Sequence, residues 1–98
     1  MSLPVILRPA AETDVDRIRA DLDGVRLGLG DDFAVRLREV LRRIEQMPGL
    51  YGVVWQDVRA ARLRRFKHVV YYVVFSDRVE IIAVLHGSRD ASAWRSRV

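Results

Sequence analysis

Val69-Val70-Tyr71-Tyr72-Val73-Val74-Phe75, then Ser76-Asp77-Arg78, then Val79-Glu80-Ile81-Ile82-Ala83-Val84-Leu85: two β-branched and aromatic runs flank a short polar turn. Residues of this kind favour the pleated, half-buried environment of a sheet, and a three-residue polar break between them spells an antiparallel hairpin. Upstream, Val58 to Arg65 mixes apolar and basic residues and reads as a weaker third strand. Together they predict a three-stranded antiparallel meander. Side chains alternate across a strand, so Tyr71, Val73 and Phe75 point one way and Val70, Tyr72 and Val74 the other. Both faces of the sheet are therefore apolar, and each needs a cover.

Two helices lie before the sheet. Ala11, Val15, Ile18, Leu22, Val25 and Leu29 recur at spacings of 4, 3, 4, 3 and 4, one face of a helix. Gly28 and Gly30 break this run, and Asp31 or Asp32 is placed to cap the second helix. Phe33, Leu37, Val40, Ile44 and Met47 repeat the arithmetic until Pro48-Gly49 stops it. So short a connection makes the two helices antiparallel neighbours. Ahead of them Leu3 to Leu7 reads as a first strand, ended by Pro9. Behind the sheet, Gly87 closes the last strand. A short tail then carries Trp94 and Arg97, with Asp90 or Ser92 able to cap one or two helical turns.

The fold class expected is α+β in two layers: an N-terminal strand and a helical hairpin packed on an antiparallel sheet, with a short C-terminal helical tail. The helical hairpin covers one face. The other face is covered either by the ends of the chain or by another chain, which makes it a candidate partner surface.

Ninety-eight residues, half of them apolar, fit one domain spanning residues 1–98. There is no cysteine, which excludes a disulfide scaffold, a thiolate zinc site and a cysteine nucleophile. No apolar run approaches the ~20 residues of a membrane span, and the N-terminus lacks the layout of a secretion signal. The expectation is a soluble cytoplasmic protein with no membrane role. Charge is uneven: residues 1–56 hold 8 basic and 9 acidic side chains, residues 57–98 hold 9 basic and 4 acidic. A basic second half points to a polyanionic partner, nucleic acid or an acidic protein segment.

The order of motifs has a family likeness. Pro9-Ala10 precedes the first helix and Gly30-x-x-Phe33 opens the second. Pro48-x-x-Tyr51, Asp57-Val58-Arg59 and Leu63-Arg64-Arg65-Phe66 come next, running into Val69-Val70-Tyr71-Tyr72. Val84-Leu85-His86-Gly87-Ser88-Arg89-Asp90 then closes the series with Trp94 and Arg97. In this order, from about Val5 to Arg97, the chain resembles toxins of the RelE/ParE superfamily. The resemblance implies the toxin half of a type II toxin–antitoxin pair. Its antitoxin would wrap the toxin with a C-terminal segment, and operator DNA would be met only indirectly, through that antitoxin.

The resemblance allows two targets. RelE-like members cleave messenger RNA on the ribosome, and ParE-like members poison DNA gyrase. Cleavage by a 2′-hydroxyl needs a base, an acid and cations around the phosphate. Arg65 and Arg89 stand at positions similar to the family's cations, with His86 as the acid–base candidate. His68, Tyr71, Tyr72 and Lys67 are the other titratable groups of the basic half besides its carboxylates. RelE-like nucleases usually carry a tyrosine or a His-Tyr pair near the C-terminus. Here the stretch reads Ala93-Trp94-Arg95-Ser96-Arg97-Val98. Arginine stabilises charge but is a poor proton shuttle. The reading favoured is ParE-like, acting by binding gyrase, with Arg62, Arg65, Arg89, Trp94 and Arg95 as candidates for the contact. A nuclease would instead use Arg65, His86 and Arg89.

Each candidate also has a plainer reading. His86 at a strand end reads first as a structural residue that hydrogen-bonds the tail, and His68 reads as a solvated strand-start residue. Arg62 and Arg64 alternate onto one strand face, the kind that keeps a strand soluble, while Arg65 falls on the other beside Leu63. Trp94 fits packing of the tail onto the sheet, and Arg89-Asp90 fits a local ion pair or cap. Two histidines supply too few ligands for a metal site, and no cofactor is expected.

Overall fold

The structure, a computed structural model, describes residues 2–98. The chain runs β1 (Val5–Leu7), α1 (Pro9–Val25), α2 (Leu29–Gln46), β2 (Val53–Trp55), β3 (Val58–Arg62), β4 (His68–Val74), β5 (Val79–His86) and α3 (Ser92–Arg95). The helical hairpin, the β4–β5 hairpin and the helical tail match the sequence reading.

The sheet is wider than a three-stranded meander. Five strands are ordered β1-β5-β4-β3-β2. β2 adds an antiparallel edge beside β3, and β1 adds to β5 in parallel, with Val5, Ile6 and Leu7 opposite Val79, Glu80 and Ile81. β1 was visible as a strand, but its pairing depends on a return of the chain more than 70 residues later. β3 ends at Arg62 rather than Arg65. Residues 63–67 form the turn into β4, closed by the Leu63 N–H donating to the His68 carbonyl at 3.1 Å. Arg65 adopts φ 66° at the tip, so the alternation assumed for Arg64 and Arg65 does not apply.

On the helical side of the sheet, Phe33, Leu37, Val40 and Ile44 of α2 bury against Val70, Tyr72, Ile81 and Val84, as the 4-3 stripe requires. The stripe of α1 stops earlier than its spacing suggests. Val25 lies outside the packing and is 79% exposed, and α2 starts at Leu29, before Gly30. Met47 likewise lies past the end of α2 and is exposed. The break falls at residues 26–28, where Gly28 adopts φ 93°. Neither Asp31 nor Asp32 caps α2. Asp23, in the last turn of α1, accepts hydrogen bonds from the N–H groups of Gly28 and Gly30 at 3.2 and 2.8 Å. Gly30 has to be glycine for this contact, because a Cβ there would lie 2.7 Å from the Arg19 carbonyl oxygen.

The second face is closed by the chain itself. Trp94 of α3 stacks on Tyr71 at 4.5 Å and 15°, and meets Trp55 of β2 edge-on at 6.0 Å. Val58, Val69, Val73, Ile82 and Leu85 complete this smaller core. Of the two covers considered for this face, the chain uses its own C-terminal tail, helped by Trp55.

β5 holds a bulge. Tyr71 is opposite Ala83 and Tyr72 opposite Ile81, so Ile82 is an extra residue without a partner. Beyond the reach of β1 the outer edge of β5 has no neighbouring strand, and side chains take over. Asp14 of α1, only 3% exposed, accepts from the Val84 N–H at 3.0 Å, while Arg97 donates to the Ile82 carbonyl at 3.1 Å. Arg97 and Asp14 also bind each other through two contacts, at 2.6 and 3.1 Å. Arg8 in turn donates to the Arg97 carbonyl at 2.9 Å, which fastens the tail to the start of α1. Buried backbone groups need partners, and this fork supplies them.

Candidate functional site

The turn between α1 and α2 and the turn between β3 and β4 come together at one end of the molecule. Between them lies a groove of about 690 Å³. Its apolar lining comes from Leu22, Leu29, Val35 and Phe66. Its charged lining comes from Arg26, Arg36, Arg65 and Lys67 against one carboxylate, Asp32. Arg26 is paired with Asp32 and Arg36 with Glu39. Arg65 and Lys67 have no carboxylate partner among the described residues. Beside the groove, Val25 and Leu27 stand exposed at 79% and 88%. Large apolar side chains clustered in the open at one end of a small domain mark a contact surface.

His68 and His86 belong to the same lining. They are directly opposite in the β4–β5 ladder, with rings 5.4 Å apart at 77°. The bulge gives this arrangement its sense, since the extra residue at Ile82 restores His86 to the helical side. His68 is not a solvated strand-start residue. Its ring packs edge-on against Phe33 at 5.1 Å, and its Nδ1 is buried without a hydrogen-bond partner. Burial, reinforced by the neighbouring His86, holds its pKa below the usual histidine value of 6.5. The unfolded chain therefore binds this proton more readily than the folded one. The contribution to stability is complete above pH 6.5 and declines as pH falls through that value towards the folded pKa. Denaturant titrations between about pH 8 and 5 should show this decline, and His68→Phe should flatten it. An unchanged slope in that variant would assign the acid sensitivity elsewhere.

His86 has its Nδ1 on Ser88, 3.1 Å from the backbone N and 2.7 Å from Oγ. A backbone N–H only donates, so Nδ1 is the acceptor and the ring proton sits on Nε2. Arg89 lies across a smaller depression of about 230 Å³ that also touches His86, His68, Arg17 and Asp21. Asp90 does not pair with Arg89. It accepts from the Ser92 N–H at 2.8 Å, and this contact holds its carboxyl below the usual range.

The sequence candidates therefore fall into two groups. Arg65, His86 and Arg89 gather at the helical side of the β4–β5 ends. Arg62, Trp94 and Arg95 lie on the tail face, where Arg95 stands over the Trp55 and Trp94 rings at 5.1 and 5.4 Å. Trp94 is buried in that face. On the same side burial raises the pKa of Tyr71, with Arg62 opposing the shift. Tyr72 faces the helices, fully buried, its hydroxyl donating to the Pro48 carbonyl at 2.9 Å. Arg59 donates to the Tyr51 carbonyl at 2.6 Å. Much of the Pro48-x-x-Tyr51 and Asp57-Val58-Arg59 pattern thus fastens the loop after α2 to the sheet. The sequence reading passed over the groove's apolar members, because Leu22 and Leu29 looked like ordinary stripe positions. Val25 and Leu27 carried the available signal, as large apolar residues beside a glycine break.

Residues 5–91 match the family described as the ParE toxin of the type II toxin–antitoxin system parDE. The chain belongs to the ParE toxin family. A chain of a solved structure described as the chromosomal ParDE toxin–antitoxin system from P. aeruginosa shares its fold, with a TM-score of 0.77 at 13% identity. That alignment covers 87% of this ParE-family chain and 96% of the other. No curated protein matches the sequence. Among the described residues, no helix of this ParE-family toxin is long and apolar enough to cross a membrane.

Proposed function

We propose that this ParE-family chain stops growth by binding DNA gyrase and is neutralised by a cognate antitoxin. The observation that carries the reading is the family match over residues 5–91. The open groove with exposed Val25 and Leu27 supports a protein partner, since a disordered antitoxin segment gains most by covering apolar surface as it folds. The arginines of the second half supply charged contacts for a target, with Arg62 and Arg95 on one side and Arg65 and Arg89 on the other.

The alternative, cleavage of ribosome-bound messenger RNA, has less support. The carboxy-terminal stretch offers arginines and a buried tryptophan, and His86 has its acceptor nitrogen committed to Ser88. Loss of a true general acid or base costs about 100- to 10,000-fold in rate, so the nuclease reading stands or falls with His86 acting as that shuttle. The test is induced expression with two measurements: DNA covalently held by gyrase, and the ends of ribosome-bound transcripts. The expected result is gyrase-linked DNA breaks with intact transcripts, relieved by co-expression of the neighbouring reading frame's product. His86→Ala should leave toxicity in place, while Arg65→Ala or Arg89→Ala weakens it. Codon-phased cuts that disappear in His86→Ala would replace gyrase with the ribosome as the target.

A further inference from the structure

We propose that the paired rings of His68 and His86 bind a carboxylate presented by an acidic, amphipathic peptide segment seated in the groove. The proposal rests on the antitoxin reading above and names the chemistry by which the toxin recognises that segment. Three observations carry it.

The first is the pair itself. His68 and His86 face each other across the ladder on one side of the sheet, 5.4 Å apart. The second is which nitrogen each ring offers. Ser88 fixes the His86 proton on Nε2. The buried His68 Nδ1 has nothing to donate to, and an orphaned donor is the costlier state, so its proton also belongs on Nε2. Each of the neighbouring rings then carries an N–H donor on Nε2, which suits an oxygen anion and not a metal ion, which needs lone pairs. The third is the setting. Four cations and one carboxylate line the groove, and Arg65 and Lys67 are unneutralised. Across the smaller depression Arg17 and Arg89 face Asp21, while Asp14 is already spent on Arg97. The field at the rings therefore favours an anion.

The apolar lining decides between kinds of anion. Leu22, Leu29, Val35 and Phe66 would gain nothing from a phosphate backbone, but they suit the apolar face of a helix in a groove. The occupant is then a helical segment with an apolar stripe and an acidic residue reaching the histidines, with further acidic residues near Arg65 and Lys67.

The experiment uses the full-length toxin and, as probe, the full-length product of the reading frame beside its gene, titrated at about pH 8. His68→Phe/His86→Phe keeps aromatic bulk against Phe33 and removes both donors. His68→Gln/His86→Gln retains an N–H near each Nε2. A hydrogen bond to a charged group is worth about 1.5–3 kcal/mol, so the Phe pair, which loses two of them, should bind at least about 100-fold more weakly and the Gln pair much less so. Long-range proton–nitrogen spectra of the rings should show Nε2–H in the free toxin and protection of both protons in the complex. In cells the Phe pair should stay toxic while escaping neutralisation, an outcome that misfolding would not produce. Wild-type affinity in the Phe pair overturns the carboxylate site and leaves the antitoxin reading intact. No binding of the probe by the wild-type toxin overturns both. Loss of affinity for a short RNA, with probe binding unchanged, would overturn the proposal in favour of nucleic acid.

Discussion

Asp14→Ala should lower the melting temperature by well over ten degrees. The substitution removes the acceptor of the Val84 N–H and strips Arg97 of its carboxylate, leaving a half-buried guanidinium and an unpaired backbone donor together. Breaking one side of a buried pair costs about 3–5 kcal/mol. The lower end applies here, because the Arg97 side chain retains 26% exposure. For a domain near 100 residues each kcal/mol moves the midpoint by about 4–8 °C, and the whole stability is only about 5–15 kcal/mol. Asp14→Asn should fall between Ala and wild type, since its amide oxygen still serves Val84. Calorimetry of the three proteins checks the order. A midpoint for Asp14→Ala within a degree or two of wild type would mean that the fork does not hold the edge of β5.

Trp94→Ala is the second large effect expected. The indole stacks on Tyr71, touches Trp55 and carries Arg95 above it. Truncating a buried tryptophan costs about 3–5 kcal/mol, with aromatic stacking included in the loss. The damage should be local. Phe33, Ile44 and Tyr72 belong to a separate core on the helical side, so far-ultraviolet dichroism should persist while the near-ultraviolet signal of Tyr71 and Trp55 collapses. Trp94→Phe should recover most of the stability. If Trp94→Ala instead abolishes gyrase binding without moving the midpoint, the indole is a contact residue and not a plug.

The elements most legible in the sequence were those whose signal is local. Phe33, Leu37, Val40 and Ile44 announce a helix face by spacing alone, and the run from Val69 to Leu85 announces a hairpin by composition alone. β2 escaped because three residues, Val53-Val54-Trp55, are too short for a period. The partner of β1, the Asp14–Arg97 fork and the tail's cover over Tyr71 join positions far apart in the chain, and nothing local marks them. The cap on α2 was misread for a related reason. α2 begins at Leu29, earlier than the glycine break suggested, so Asp31 and Asp32 fall inside its first turn, and the tight turn at Gly28 lets Asp23 reach forward to the free N–H groups. Of the site, the individual cations were legible, while their division between two faces was not. It depends on where β3 stops and on the φ of Arg65.

Ile82 has a consequence for how this chain tolerates changes in length. In a last strand without a bulge, Ala83 to His86 would each turn to the opposite side, and His86 would leave His68 for the company of Trp94. The extra residue acts as a half-turn of phase in the alternation. Removing Ile82 should therefore leave His86 on its present side, whereas inserting one residue between Ala83 and Val84 should carry it across. The strand end is thus indifferent to one deletion and intolerant of one insertion. Lineages of this fold with a shorter last strand would be free to lose the bulge residue first, provided that another carbonyl takes its place in front of Arg97.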